Sequence, residues 1–114
     1  VSKTADNSSH KIKNFIENNY SKEELSLKDA ADYINFTPTY FSSLFKKEMG
    51  KNFVTYLTEI RVEKAKTLLC CTSKKVYEIA YDVGFGDYRY FSQIFKKHTG
   101  LTPQEFKMSK NNTT

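Results

Sequence analysis

Leu27–Gly50 reads LKDAADYINFTPTYFSSLFKKEMG, and Val76–Gly100 reads VYEIAYDVGFGDYRYFSQIFKKHTG. The second stretch repeats the pattern of the first. Ala31 and Ala80, Ile34 and Val83, and Phe36 and Phe85 each stand 49 positions apart. One residue is gained near Thr39. Beyond it Tyr40-Phe41-Ser42 and Tyr90-Phe91-Ser92 match at a spacing of 50, as do Phe45-Lys46-Lys47 and Phe95-Lys96-Lys97, and Gly50 and Gly100. Two copies are too few for a solenoid, which needs three or more to bury its core. They imply one small device used twice.

Each copy reads as helix, tight turn, helix. Ser26-Leu27-Lys28-Asp29 has the S-x-x-D form of a capping box and starts a helix that runs to about Ile34. Asn35 follows, and Gly84 fills the same slot in copy two. These are the residue types that most readily enter the left-handed backbone of a helix-ending turn. Thr37 then caps a second helix, with Pro38 at its first position, where a missing N–H costs nothing. In copy two Asp87 or Gly86 fills the capping role. Gly50 and Gly100 close the second helices, each after lysines suited to a C-terminal dipole. The small Ala31 and Ala80 stand where two helices would cross closely.

The rest of the chain supports these units. His10–Tyr20 carries Ile12, Phe15 and Ile16 on one face of an amphipathic helix. A long helix is predicted from Phe53 to Cys70, with Val54, Leu57, Ile60 (or Arg61), Ala65, Leu68 and Leu69 available for packing. Thr102-Pro103-Gln104-Glu105 is another capping box and opens a last short helix carrying Phe106. The expected fold is therefore all-α: seven helices forming two helix-turn-helix subdomains joined by a long linker helix. Its bounds are a flexible linker over 1–9 and a double helix-turn-helix body over 10–108, with a flexible tail over 109–114. Within the body, 10–52 form the first subdomain, 53–70 the linker helix and 71–108 the second subdomain.

Helical periodicity decides which sides are free. In copy one Phe41, Leu44 and Phe45 lie at i, i+3, i+4 and face inward, leaving Thr39, Ser42, Ser43 and Lys46 outward. In copy two Phe91, Ile94 and Phe95 turn inward and Arg89, Ser92, Gln93 and Lys96 outward. Such faces suit a duplex major groove. Arg89 can bond guanine O6 and N7 in bidentate fashion, Gln93 can pair likewise with adenine, and the Thr39 methyl can meet a thymine methyl. Ser42, Ser43 and Ser92 can donate or accept. Lys46, Lys47, Lys96 and Lys97 are assigned to phosphates, together with Thr37, Asp87 and Tyr88 at the helix starts. Phe36, Phe85 and the Tyr-Phe pairs are read as core builders, not as a platform for stacking single-stranded bases. The 18-residue connector would span roughly 27 Å at ~1.5 Å per residue, so two reading helices could lie about one duplex turn, ~34 Å, apart.

Composition narrows the class without deciding it. The 114 residues carry 18 Lys+Arg against 13 Asp+Glu, a net charge of +5 that fits a polyanionic partner but also an ordinary basic protein. No apolar run approaches the roughly 20 residues of a bilayer span, and no signal peptide opens the chain. The two cysteines, Cys70 and Cys71, are neighbours and form no cross-linking framework. A cytoplasmic setting follows, and the cysteine pair is read as a helix end that packs one thiol. His10 and His98 lack metal-ligand spacing, and no phosphate-binding loop or nucleophile elbow is present. No catalytic residue, cofactor, metal or membrane partner is expected.

Gly84-Phe85…Tyr90-Phe91-Ser92…Phe95-Lys96-Lys97…Gly100…Thr102-Pro103…Phe106 resembles the signature of AraC/XylS-type transcription regulators. Upstream, Ala31…Tyr40-Phe41-Ser42…Phe45-Lys46-Lys47…Gly50, then Arg61…Ala65…Leu68-Leu69, match as well. The resemblance covers about residues 10–108. It implies a bacterial seven-helix domain whose two recognition helices enter adjacent major grooves, with double-stranded DNA as partner and RNA polymerase as a second candidate. It also implies the output part of a longer protein, whose missing N-terminal sensor or receiver domain would make it a regulator of, for instance, the two-component response-regulator branch. The isolated domain is expected to be monomeric. Two departures stand out. Phe106-Lys107 replaces the usual aromatic-Arg pair, which puts an arginine-mediated tie in doubt, and copy one has only Thr and Ser at its reading positions. Copy one should therefore read more weakly, or through water. The alternative is a helical protein–protein interaction module using the same outer faces.

Overall fold

The computed structural model describes residues 2–111, with side chains from 8 to 109. Among the described residues there are seven α-helices and no strand: α1 Ser2–Asn19, α2 Leu27–Tyr33, α3 Pro38–Met49, α4 Phe53–Cys71, α5 Val76–Asp82, α6 Tyr88–Thr99 and α7 Pro103–Asn111. The chain divides inside α4 into two compact units, Val1–Thr58 and Glu59–Thr114.

The signals that end α2 and α5 produce the same turn twice. The Phe36 N–H reaches back to the Ala31 carbonyl at 2.9 Å and the Asn35 N–H to Asp32 at 3.1 Å. In the second unit Phe85 bonds to Ala80 at 2.9 Å and Gly84 to Tyr81 at 3.1 Å. This six-to-one and five-to-two pairing is a Schellman closure, which satisfies the last carbonyls of a helix but requires a left-handed residue in the middle. Asn35 takes φ 62° and Gly84 takes φ 103°. Ala31 and Ala80, whose carbonyls the closure engages, are fully buried.

Caps fix the starts. The Ser26 hydroxyl accepts from the Asp29 N–H at 3.2 Å while the Asp29 carboxylate accepts from the Ser26 N–H at 3.0 Å. Thr102 and Glu105 make the same reciprocal pair, at 3.1 and 2.9 Å. Glu105 is consequently held below the usual carboxylate range, first by the Thr102 backbone N–H and then by the Thr102 hydroxyl. At α5 only half of the box exists: the Glu78 carboxylate accepts from the Lys75 N–H at 2.9 Å, and the lysine side chain has no acceptor to return. Asn52 caps α4 by accepting from the Thr55 N–H at 2.9 Å, a cap the sequence reading passed over.

Each unit has its own aromatic core. In the first, Ile12 and Ile16 of α1 are buried, as are Phe41 and Phe45, which pack against Phe53 at ring separations of 6.0 and 5.6 Å. In the second, Phe91 and Phe95 lie 5.7 Å apart, and Phe106 of α7 packs edge-on against Phe95 at 5.4 Å. Burying one such ring contributes about 1.5–3 kcal/mol. The long helix serves both units: Phe53 and Leu57 go to the first core, and Val62, Ala65 and Leu69 to the second.

Several expectations need revision. The helix predicted from His10 begins at Ser2, inside the span expected to be a flexible linker, and α7 extends to Asn111, inside the span expected to be a tail. No Pro or Gly interrupts either stretch, and adding a turn to an existing helix is far easier than starting one. The ends of those two expected segments, residue 1 and residues 112–114, lie outside the described residues. Val54 was expected to pack but is 66% exposed, because Phe53 and Leu57 form the inward i, i+4 stripe and Val54 sits one helical step around from it. Cys70 and Cys71 are both exposed, so neither thiol is packed. Leu69 takes the last buried position of α4, and the next two residues rotate away from it.

Candidate nucleic-acid interface

The two candidate reading helices are α3 and α6, each the second helix of its unit. Pro38 occupies the first turn of α3, and the Thr37 hydroxyl accepts from the Tyr40 N–H at 3.2 Å. With Phe41 and Phe45 fully buried and Leu44 half-buried, the opposite side carries exposed Thr39, Ser42, Ser43 and Lys46, with Lys47 also exposed. In α6 the Asp87 carboxylate caps the helix by accepting from the Arg89 N–H at 2.8 Å. Phe91 and Phe95 are fully buried and Ile94 half-buried, leaving Arg89, Gln93, Lys96 and Lys97 exposed and Ser92 half-buried. Gly50 and Gly100 end the helices at φ 79° and 85°, with the paired lysines in the last turn. There the cations complement the helix dipole and remain open to an anion.

Each unit thus gathers its predicted reading residues on one helix. The Asp87 carboxylate, expected to touch phosphate, accepts the Arg89 backbone N–H. Its role is to set the start of α6 and hence the position of Arg89. The Tyr-Phe pairs were read as core, which holds for Phe41 and Phe91 but not for their partners: Tyr40 is 55% and Tyr90 53% exposed. Both rings lean on the Schellman phenylalanines, at 4.8 Å from Phe36 and 5.9 Å from Phe85. Phe36 itself is only half-buried, whereas Phe85 is buried beneath the guanidinium of Arg61, 5.8 Å from its ring centre.

Lys107, which stands where the family pattern has arginine, makes a tie of its own. Its ammonium donates to the Lys74 carbonyl at 2.9 Å, tying α7 to the segment before α5. Nearby, the Lys74 ammonium pairs with Asp82 at 2.6 Å, and its pKa is raised, first by that hydrogen bond and then by the charge of Asp82. His10 and His98 are exposed. Among the described residues no group of three or more His, Cys, Asp or Glu side chains is placed to hold a metal ion, and no helix is long and apolar enough to cross a membrane.

Comparison with known proteins agrees with this architecture. The helix-turn-helix domain family matches residues 30–109. A transcriptional regulatory protein of Bacillus subtilis, YesN, is 49% identical over 86 residues, which cover 73% of this chain and 23% of YesN. The crystal structure of the C-terminal domain of the two-component response regulator YesN from Fusobacterium nucleatum superposes with a TM-score of 0.86 at 40% identity, over 89% of this chain and 98% of that one. The C-terminal domain of AraT, a response regulator from Geobacillus stearothermophilus, gives 0.86 at 35% identity, over 90% and 84%. The chain belongs to the helix-turn-helix family, in its AraC-type DNA-binding branch of transcription regulators. It spans only about a quarter of the length of the Bacillus YesN that it matches.

Proposed function

We propose that this chain is the DNA-reading output domain of a longer bacterial transcription regulator, of the response-regulator kind, acting in the cytoplasm and without catalytic chemistry of its own. The observation that carries the reading is the repeated division of α3 and α6, with phenylalanines fully buried on one side and hydrogen-bonding side chains exposed on the other. In this reading the two helices enter successive major grooves of one duplex. Thr39, Ser42 and Ser43 of α3, and Arg89, Ser92 and Gln93 of α6, meet base edges. Thr37, Lys46, Lys47, Tyr88, Lys96 and Lys97 hold phosphates, and Asp87 acts through the helix start. An N-terminal sensor or receiver domain would govern when the domain binds, RNA polymerase is the candidate recipient of the signal, and the isolated domain is a monomer.

The test is fluorescence anisotropy with labelled duplex over a range of salt. Affinity should fall steeply as salt rises, and Lys96→Ala should reduce the slope of log K against log salt by about one. A protein-docking module using the same faces would give a flat salt response and no preferred duplex.

A further inference from the structure

Beside α6, the second unit contains a cleft of about 500 Å³ lined by Lys75, Val76, Tyr77, Tyr88, Gln104 and Lys107. Its polar lining residues are two lysines, two tyrosines and a glutamine, and none bears a carboxylate. Val76 is buried beneath it, Tyr77 is 59% exposed and Tyr88 is exposed, so the phenols are open to a ligand. The Lys75 ammonium lies 6.0 Å from the centre of the Tyr77 ring. Lys107 spends one hydrogen on the Lys74 carbonyl, which fixes its position and leaves two to donate. The neighbouring carboxylate, Glu78, is engaged by the Lys75 backbone N–H and lines an adjoining cleft that shares Tyr77 and Tyr88.

The repeat shows that the fold does not require this arrangement. The first unit places Ser26 where the second has Lys75, and its hydroxyl is used as a helix cap. It places Lys28 where the second has Tyr77, and that ammonium is paired with Asp32 at 3.0 Å. A cleft with two cations, further hydrogen-bond donors and no carboxylate-bearing residue complements a phosphate monoanion, and it opens at Tyr88, the first residue of the candidate reading helix.

We propose that this cleft seats one backbone phosphate of the DNA flanking the bases read by α6. Lys75 and Lys107 supply charge, and Tyr77, Tyr88 and Gln104 direct hydrogen bonds. The proposal rests on the DNA-binding reading above and extends the contacted strand past the end of the reading helix. Seating a phosphate here would fix how far α6 can slide along the groove, and so its register on the bases.

The experiment scans a single neutral methylphosphonate along both strands of a duplex that the protein binds, measuring affinity for the wild type, Lys75→Ala and the Tyr77→Phe/Tyr88→Phe pair. Lys107 is left intact because it also ties α7 in place. One backbone position should weaken wild-type binding several-fold yet be nearly silent in both variants. Lys75→Ala should also lower the salt slope by roughly one, as Lys96→Ala does. Circular dichroism of the variants should match the wild type. If Lys96→Ala lowers the slope while both cleft variants bind as the wild type does at every substituted position, the cleft proposal is overturned and the DNA reading stands. Binding of no duplex at all would overturn both. A gain in thermal stability with inorganic phosphate that Lys75→Ala abolishes, without any DNA effect, would assign the cleft to a free anion and likewise overturn it.

Discussion

Asn35 and Gly84 do the same work with different side chains. Both sit in the left-handed region at the one point where each Schellman turn must reverse the chain. An L-residue with a Cβ costs roughly 1–2 kcal/mol there, and asparagine is the side chain that suffers least. Asn35→Ala should therefore lower stability by about 1–2 kcal/mol in urea unfolding, whereas Asn35→Gly should stay within about 0.5 kcal/mol of wild type, because glycine's relief of strain is offset by its freer unfolded chain. Equal losses for both would mean that the asparagine side chain, and not its backbone, matters. At this scale the sequence was highly informative, because a cap or a reversing turn is decided within four or five residues. What stayed hidden was partial exposure. Tyr40 and Tyr90 follow buried patterns in sequence, yet each lies one helical step off the Phe stripe, so the ring covers Phe36 or Phe85 while its other side faces solvent.

Of the helices, α4 was the least legible. Its apolar residues follow no single stripe, since Phe53 and Leu57 answer to one core and Val62, Ala65 and Leu69 to the other. A reading that seeks one buried face therefore wrongly included Val54 and passed over Val62, which sits between Arg61 and Glu63. The same division gives a test of the two-unit organisation. Leu57→Ala and Leu69→Ala each remove a buried side chain and should each cost about 2–5 kcal/mol. Hydrogen exchange should then separate them. Leu57→Ala should raise exchange chiefly in α2 and α3, and Leu69→Ala chiefly in α5 and α6, because local opening follows compact cooperative units. Uniform acceleration throughout the chain in both variants would show the units to be a single cooperative body.

The molecule as a whole is a duplication whose copies have diverged in the chemistry they present, and that divergence has a measurable consequence for the proposed DNA reading. Copy one offers Thr39, Ser42 and Ser43, short side chains with single hydroxyls, while copy two offers Arg89 and Gln93, the two types that make bidentate contacts to purines. This difference was plain in the sequence, because side-chain identity at an outward position needs no knowledge of packing once the Phe stripe is set. The two-lysine cleft was not plain, since Lys75, Tyr88, Gln104 and Lys107 come from three helices and their flanks, and only folding gathers them. Duplexes selected from a random pool should carry one sharply defined half-site and one diffuse half-site. Arg89→Ala and Gln93→Ala should each cost roughly 1–3 kcal/mol, about 5- to 150-fold in affinity, and flatten preference in the sharp half alone. Ser42→Ala and Ser43→Ala should cost less and act on the diffuse half, where water can replace a lost hydroxyl contact. Were the serine variants to erase the sharp half-site instead, the assignment of α6 as the principal reader would be reversed, and α3 would have to read sequence through DNA shape rather than through base edges.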